Sequence, residues 1–288
     1  MIAIYKKELR SYFSGMIGYS AIAMILVMSG IFVKIVCFDN RLPLMQYALP
    51  TISMILLLAV PIITMSSFAQ EKQTKTDQLL YSLPISASQI VCGKYFAMLT
   101  VFAIPTLILG IVPMILTLYG EVSLFPAYSA LLIFFLLIAA MTAISMFMST
   151  LAETPITAAV MSAAVLIAMY YSATLTSVIP TTEIASFVAF LVIAGLIALI
   201  VYAFVRDFYI TCGVAAVLML GVAITYYFNS SLFLGLIQRA VSAFSLFDRF
   251  DVAVRSGMLD ITTVAYYLSV SVIFSFLTVQ MVEKRRYN

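Results

Sequence analysis

The chain has 288 residues, 64% of them hydrophobic and only 9% charged, with a net charge of +3. So few charges cannot solvate a water-soluble domain of this size, and scattered bases in so small an excess do not make a nucleic-acid surface. His is absent and the three cysteines, Cys37, Cys92 and Cys212, lie far apart, so neither a zinc site nor a CxxC redox pair is encoded.

In chain order, the start MIAIYKKELRSYFSG puts Ile2, Tyr5, Leu9 and Tyr12 on one face of a helix and Lys6, Lys7 and Arg10 on another. Residues 1–15 therefore have the layout of an amphipathic helix lying in the membrane interface, the alternative being a plain basic flank of the first span. The small-x-small triplet Ala21-Ile22-Ala23 comes too early to follow a complete apolar run, so no signal-peptide cleavage is expected.

Eight apolar segments follow: Gly18 to Val36, Pro50 to Ala69, Tyr95 to Tyr119, Ala127 to Leu151, Ile156 to Val178, Ser186 to Val205, Tyr209 to Phe228 and Val264 to Val282. Runs near twenty residues cross about 30 Å of hydrocarbon, and irregular backbone facing lipid would leave its amides unpaired, so each is expected to be helical. The fold class is all-α: one polytopic membrane helix bundle over residues 1–288 with about eight transmembrane helices. The two segments between Ser186 and Phe228 are short enough to be re-entrant instead. Residues 229–263 carry Arg239, Asp248, Arg249, Asp251, Arg255 and Asp260, too many charges for hydrocarbon, and are expected as an external amphipathic or re-entrant segment.

Lys and Arg favour the cytoplasmic side. With the N-terminus inside, Lys6, Lys7, Arg10, Lys72, Lys75, Lys94, Arg206, Lys284, Arg285 and Arg286 fall on the inner side, leaving Lys34, Arg41, Arg239, Arg249 and Arg255 outside. Both termini are then cytoplasmic. No Asp, Glu, Lys or Arg falls in the middle of a span, which argues against a secondary transporter driven by protons or cations. Ser145, Ser162 and Thr225 lie within spans and are expected to bond helix carbonyls rather than act as nucleophiles.

The longest polar interruption of the first half is QEKQTKTDQLLYSLPISASQIVCGK, residues 70–94. Inside it, Leu79, Leu80, Leu83, Ile85 and Ile90 are apolar, and Pro84 starts a helix-compatible stretch from Ile85 to Cys92, an arrangement that a soluble partner would bury. A phosphate loop is excluded: the GxxxxGK pattern requires Gly where Ser88 stands, and Ser or Thr where Tyr95 stands. No catalytic, cofactor-binding or metal-ligating residue is expected in this chain, which is not read as an enzyme.

Glu71, Thr76-Asp77, Leu79-Leu80, Pro84-Ile85 and Gly93-Lys94 resemble the E…T-D/E-x-L-L…P-I/V…G-K pattern between the second and third spans of ABC type-2 permeases, particularly a gliding-motility-type bacterial subgroup. The start IYKKELRSYFSGMIGY, the stretch Phe247 to Asp260 followed by Tyr266-Tyr267-Leu268-Ser269, and the finish LTVQMVEKRR agree with it. The resemblance implies the permease subunit of an ATP-driven transporter, an exporter, in a bacterial cell membrane. It implies an interfacial elbow helix carrying Tyr5, Lys6, Lys7 and Arg10, and a coupling loop carrying Glu71, Asp77, Leu79, Leu80, Pro84, Ile85, Ile90, Gly93 and Lys94. The implied partners are a separate ATP-binding-cassette subunit that holds ATP and magnesium, and a second permease copy or a related one, while the extra hairpin leaves open substrate choice, an accessory membrane subunit or packing alone. Family members commonly have six spans, so the segments between Ser186 and Phe228 are a departure. The other readings are an ATP-powered membrane scaffold or mechanotransmitter without solute transport, and a secondary transporter.

Overall fold

The computed structural model describes residues 1–39, 45–77, 85–119, 122–178 and 245–287, with isolated positions between 186 and 238. All regular structure among the described residues is helical. Two compact units are present, one of Met1–Ala168 with Leu246–Asn288 and one of Met169–Ser245.

The first unit opens with α1, Ile2–Ser14, whose turn into α2, Met16–Val33, is made at an extended Gly15. Helix α2 runs on as π-helical turns over Lys34–Asp39, and together they form the first candidate span, Met16–Asp39. The second is broken. Helix α3, Met45–Ser53, meets Leu56–Gln73 at 52°, the latter containing α4, Leu56–Thr64, and α5, Ala69–Gln73. The break falls at Met54 and Ile55, where the amides of Met54, Ile55, Leu57 and Leu58 bond carbonyls only three residues back, at 3.3, 3.0, 3.2 and 3.0 Å.

Helix α6, Ala87–Leu109, and the short α7, Val112–Leu116, make the third span, α8, Leu124–Leu151, the fourth, and α11, Ile261–Tyr287, the last, which is apolar enough over Ile261–Arg286. Helix α9, Pro155–Val178, supplies a further span over Pro155–Ser172. Pro155 suits its first turn, and Thr154 and Thr157 cap each other's amides at 3.3 and 3.2 Å. The described residues thus hold five helices able to cross a membrane, or six with the bent pair as one span. These six coincide with expected segments. The other two, Ser186 to Val205 and Tyr209 to Phe228, belong to the second unit and lie almost wholly outside the described residues. In that unit the rings of Phe187 and Tyr226 meet at 4.6 Å.

Lipid leaves hydroxyls nothing to bond but their own helix. Ser162 donates to the carbonyl of Ala158 at 2.8 Å, Thr142 to that of Ile138 at 2.7 Å and Thr225 to that of Gly221 at 2.6 Å, as expected of Ser162 and Thr225. Ser145 departs from that expectation, since its buried Oγ has no hydrogen-bond partner.

One end of the first unit is closed by α10, Leu246–Ser256, which buries Leu246, Phe247, Phe250, Ala253 and Val254. This is the helical part of the expected 229–263 segment, most of which precedes it outside the described residues. Phe250 meets Phe134 of α8 at 6.0 Å, and Tyr267 donates to the carbonyl of Leu246 at 2.7 Å. Gly257 then turns the chain at φ +65 over Pro126, and Asp260 accepts the amide of Thr262 at 3.1 Å to start α11. Hydrogen bonds from the Thr262 hydroxyl and amide hold the Asp260 carboxyl below its usual range.

The tightest approach lies at the opposite end, where a Cβ built on Gly18 would stand 2.7 Å from the carbonyl oxygen of Tyr12. Gly30, in the same helix, has nothing within 4 Å of such an atom. Gly18→Ala is expected to cost about 1–3 kcal/mol of stability as α1 is pushed off α2, whereas Gly30→Ala is neutral or stabilising through helix propensity. Melting of both variants in detergent checks this, and equal melting temperatures would refute the close corner.

Candidate functional site

The residues on either side of the polar loop converge inside the protein. Glu71, on α5, and Lys94, on α6, meet at 3.0 Å, so the chain leaves and re-enters the unit at one point. Lys94 has only 1% of its side chain exposed. Its ammonium also lies 3.1 Å from the carboxylate of Glu8 on α1, donates to the carbonyl of Ser67 at 2.7 Å, and stands 5.0 Å from the centre of the Phe68 ring. The ammonium donates hydrogen bonds to Glu8 and to the Ser67 carbonyl, and Glu71 meets it as an ion pair. Lys7 closes the cluster from outside, 3.1 Å from Glu71 and 3.6 Å from Glu8, making two cations and two carboxylates. Burial pulls the Lys7 ammonium down, but Glu71 and then Glu8 outweigh it and leave its pKa raised.

Helix α1 reaches this position because its inward stripe is Ile4, Glu8 and Tyr12, one residue per turn. Tyr12 donates to the carbonyl of Ile63 at 3.3 Å, and Tyr5 shares a hydrogen bond with Thr100 at 3.0 Å. Gly93 makes the approach possible. A Cβ there would come within 3.1 Å of Ile4 and 3.3 Å of the Met1 carbonyl.

Two further bonds fix the loop roots. Lys72 donates to the carbonyls of Thr150 and Ala152, the latter at 2.6 Å, and so caps the C-terminal end of α8. The hydroxyl of Ser149 receives the amides of Phe68 and Ala69 at 3.3 and 3.2 Å. On the return side, Arg286 of α11 donates to the carbonyl of Ile85 at 2.9 Å.

Among the residues singled out from the sequence, Glu71, Gly93, Lys94, Tyr5 and Lys7 come together here, while Lys6 and Arg10 face outward. Asp77 and Ile85 are half-buried at the two sides of the loop, and Leu79, Leu80 and Pro84 lie outside the described residues. Two expectations change. The stretch Ile85 to Cys92 is not a helix of its own, because α6 starts at Ala87 and continues unbroken into the span. Ile90, expected to await a partner, is 1% exposed and already packed inside the chain. Exposed positions on that turn are Ser86, Ser88 and Gln89. The sequence reading missed Glu8, Ser67, Lys72, Ser149 and Arg286. The signal for Glu8 was present: it is the one carboxylate before Asp39, set in a basic helix.

The family model described as ABC-2 family transporter protein matches residues 3–183, which includes α1, the loop and the spans that hold this cluster. The chain belongs to that family. It is therefore a multi-pass ABC transporter permease, and the matched region ends before the two segments between Ser186 and Phe228. No curated protein and no solved structure matches it.

Removing one partner of a buried ion pair leaves the other charge without compensation. In the permease, Lys94→Met is expected to cost about 3–5 kcal/mol, because Glu8 and Glu71 keep only the exposed Lys7. Neutralising both carboxylates as well, with Glu8→Gln and Glu71→Gln, is expected to recover much of the loss. Thermal melting in detergent decides it, and a Lys94→Met protein that melts like the wild type would contradict the cluster.

Proposed function

We propose that this permease is the membrane subunit of an ATP-driven exporter of the gliding-motility-type subgroup. Two copies, or this chain and a related one, form the pathway, and separate ATP-binding subunits holding ATP and magnesium dock on residues 70–94. The observation that carries this reading is the Glu71–Lys94 pair at 3.0 Å: a loop whose two roots are locked together can pass a push from its tip into the membrane helices, where a slack loop would only bend. Ser86, Ser88 and Gln89 are the exposed turn of α6 next to that tip, and with Ile85 they make the docking surface in place of the buried Ile90.

Lys6, Lys7, Arg10, Lys72, Lys75, Lys94, Lys284, Arg285 and Arg286 share the loop end of the first unit, while Lys34, Arg249 and Arg255 lie at the α10 end. That distribution supports cytoplasmic termini in a bacterial cytoplasmic membrane. Helix α1 supports the elbow role, since Lys6 and Arg10 are exposed on the helix that starts at the exposed apolar Ile2 and leads to the exposed Met16 of α2. An accessory membrane subunit would meet the extra segments of the second unit.

Nucleotide-driven closure of the docked subunits would then rock the helices between inward and outward openings. Ile85→Asp and Ser88→Trp are expected to leave the melting temperature of the isolated permease close to wild type and to abolish co-purification of the ATP-binding subunit. Ile90→Asp differs, because a charge forced into its buried site costs several kcal/mol of folding. Retained assembly and transport in both Ile85→Asp and Ser88→Trp would overturn docking at this surface.

A further inference from the structure

Resting on the coupling role proposed for the loop, we propose that α1 is a second force path from the loop into the membrane, with Glu8 as its positioning residue. A push arriving at the loop has an evident route through α6, which begins there. The structure offers another. Glu8 binds the same ammonium that joins the loop roots, at 3.1 Å, and Ile4 fills the space left by the missing side chain of Gly93. Tyr5 and Tyr12 hold α1 on either side of that contact, at Thr100 and at the Ile63 carbonyl. Loop root and α1 are therefore one body.

At its other end α1 turns into α2 through Gly15 alone, and the corner has no slack, with Gly18 lying against the Tyr12 carbonyl. Displacement of the loop root must carry α1, and α1 must carry the first span. Glu8 is buried inside the chain, 7% exposed. It acts through Lys94, setting which way α1 moves when the loop moves.

The test uses the permease in complex with its ATP-binding subunit in lipid nanodiscs, with the native cysteines replaced by serine. Spin labels at Ser11→Cys or Ser20→Cys, each paired with Phe96→Cys just past Lys94 and outside the docking surface, report α1 and the first span against the loop root; all three positions are exposed. Between the nucleotide-free complex and the complex trapped with ATP, magnesium and vanadate, both distances are expected to stay constant in the wild type. A Gly-Gly-Ser insertion between Ser14 and Gly15 should keep the Ser11–Phe96 distance constant and make the Ser20–Phe96 distance change on trapping. Glu8→Gln should instead free the Ser11–Phe96 distance to change, and Glu8→Asp should restore it. A purely structural Glu8 would lower the melting temperature without making any distance depend on nucleotide.

A Ser11–Phe96 distance that shifts on trapping in the wild type, or a Ser20–Phe96 distance unmoved by the insertion, would overturn the second path while leaving the coupling role intact. Failure of the wild-type chain to hold an ATP-binding subunit would instead refute the coupling role, and the second path with it.

Discussion

An ammonium with 1% of its side chain exposed must spend every donor inside the protein, and the arrangement of the loop end follows from how Lys94 does so. One acceptor is the Ser67 carbonyl, available because the backbone is in turns between α4 and α5. The ammonium's charge is met by two carboxylates from different elements, Glu8 and Glu71, so neither α1 nor the end of the second span can leave without stranding a charge. Lys7 balances the second carboxylate from the exposed side. Gly93, without a side chain, lets α1 come close enough for these distances to exist.

The same rule governs the rest of the first unit with the opposite solution. Away from the ion cluster, polar atoms such as those of Thr142 and Ser162 are satisfied within their own helix and those of Lys72 and Asp260 cap helix ends, the buried hydroxyls of Ser29 and Ser145 being exceptions. Charge is thereby confined to the two ends. At the far end α10 provides a lid of buried aromatic and aliphatic side chains, with Arg249 4.2 Å from the Tyr266 ring. A permease that moves as packed helices needs joints at defined places. The described residues supply one in the second span, the 52° break between Ser53 and Leu56.

The helical class and six of the expected spans were legible in the sequence because hydrocarbon imposes both apolar length and helical backbone, two constraints that composition reveals directly. The loop was legible for the complementary reason, as polar residues in a chain that otherwise avoids them. Its inner geometry was not. Ile90 reads as a docking residue only while the phase of its helix is unknown. Once α6 starts at Ala87, Ile90 turns inward with Val91 and Lys94. Glu8 was hidden by amphipathic logic, which assigns a carboxylate beside Lys6, Lys7 and Arg10 to the solvent face. Its partner lies 86 residues away, and no local pattern carries that information.

Hydrogen–deuterium exchange of α1 in lipid nanodiscs tests most directly whether the Lys94 cluster holds this end together. The amides of residues 5–14 should exchange as slowly as those at the start of α6, and Lys94→Met should release them while α8 stays protected. Fast exchange of α1 in the wild-type permease, or protection that survives Lys94→Met unchanged, would contradict the account.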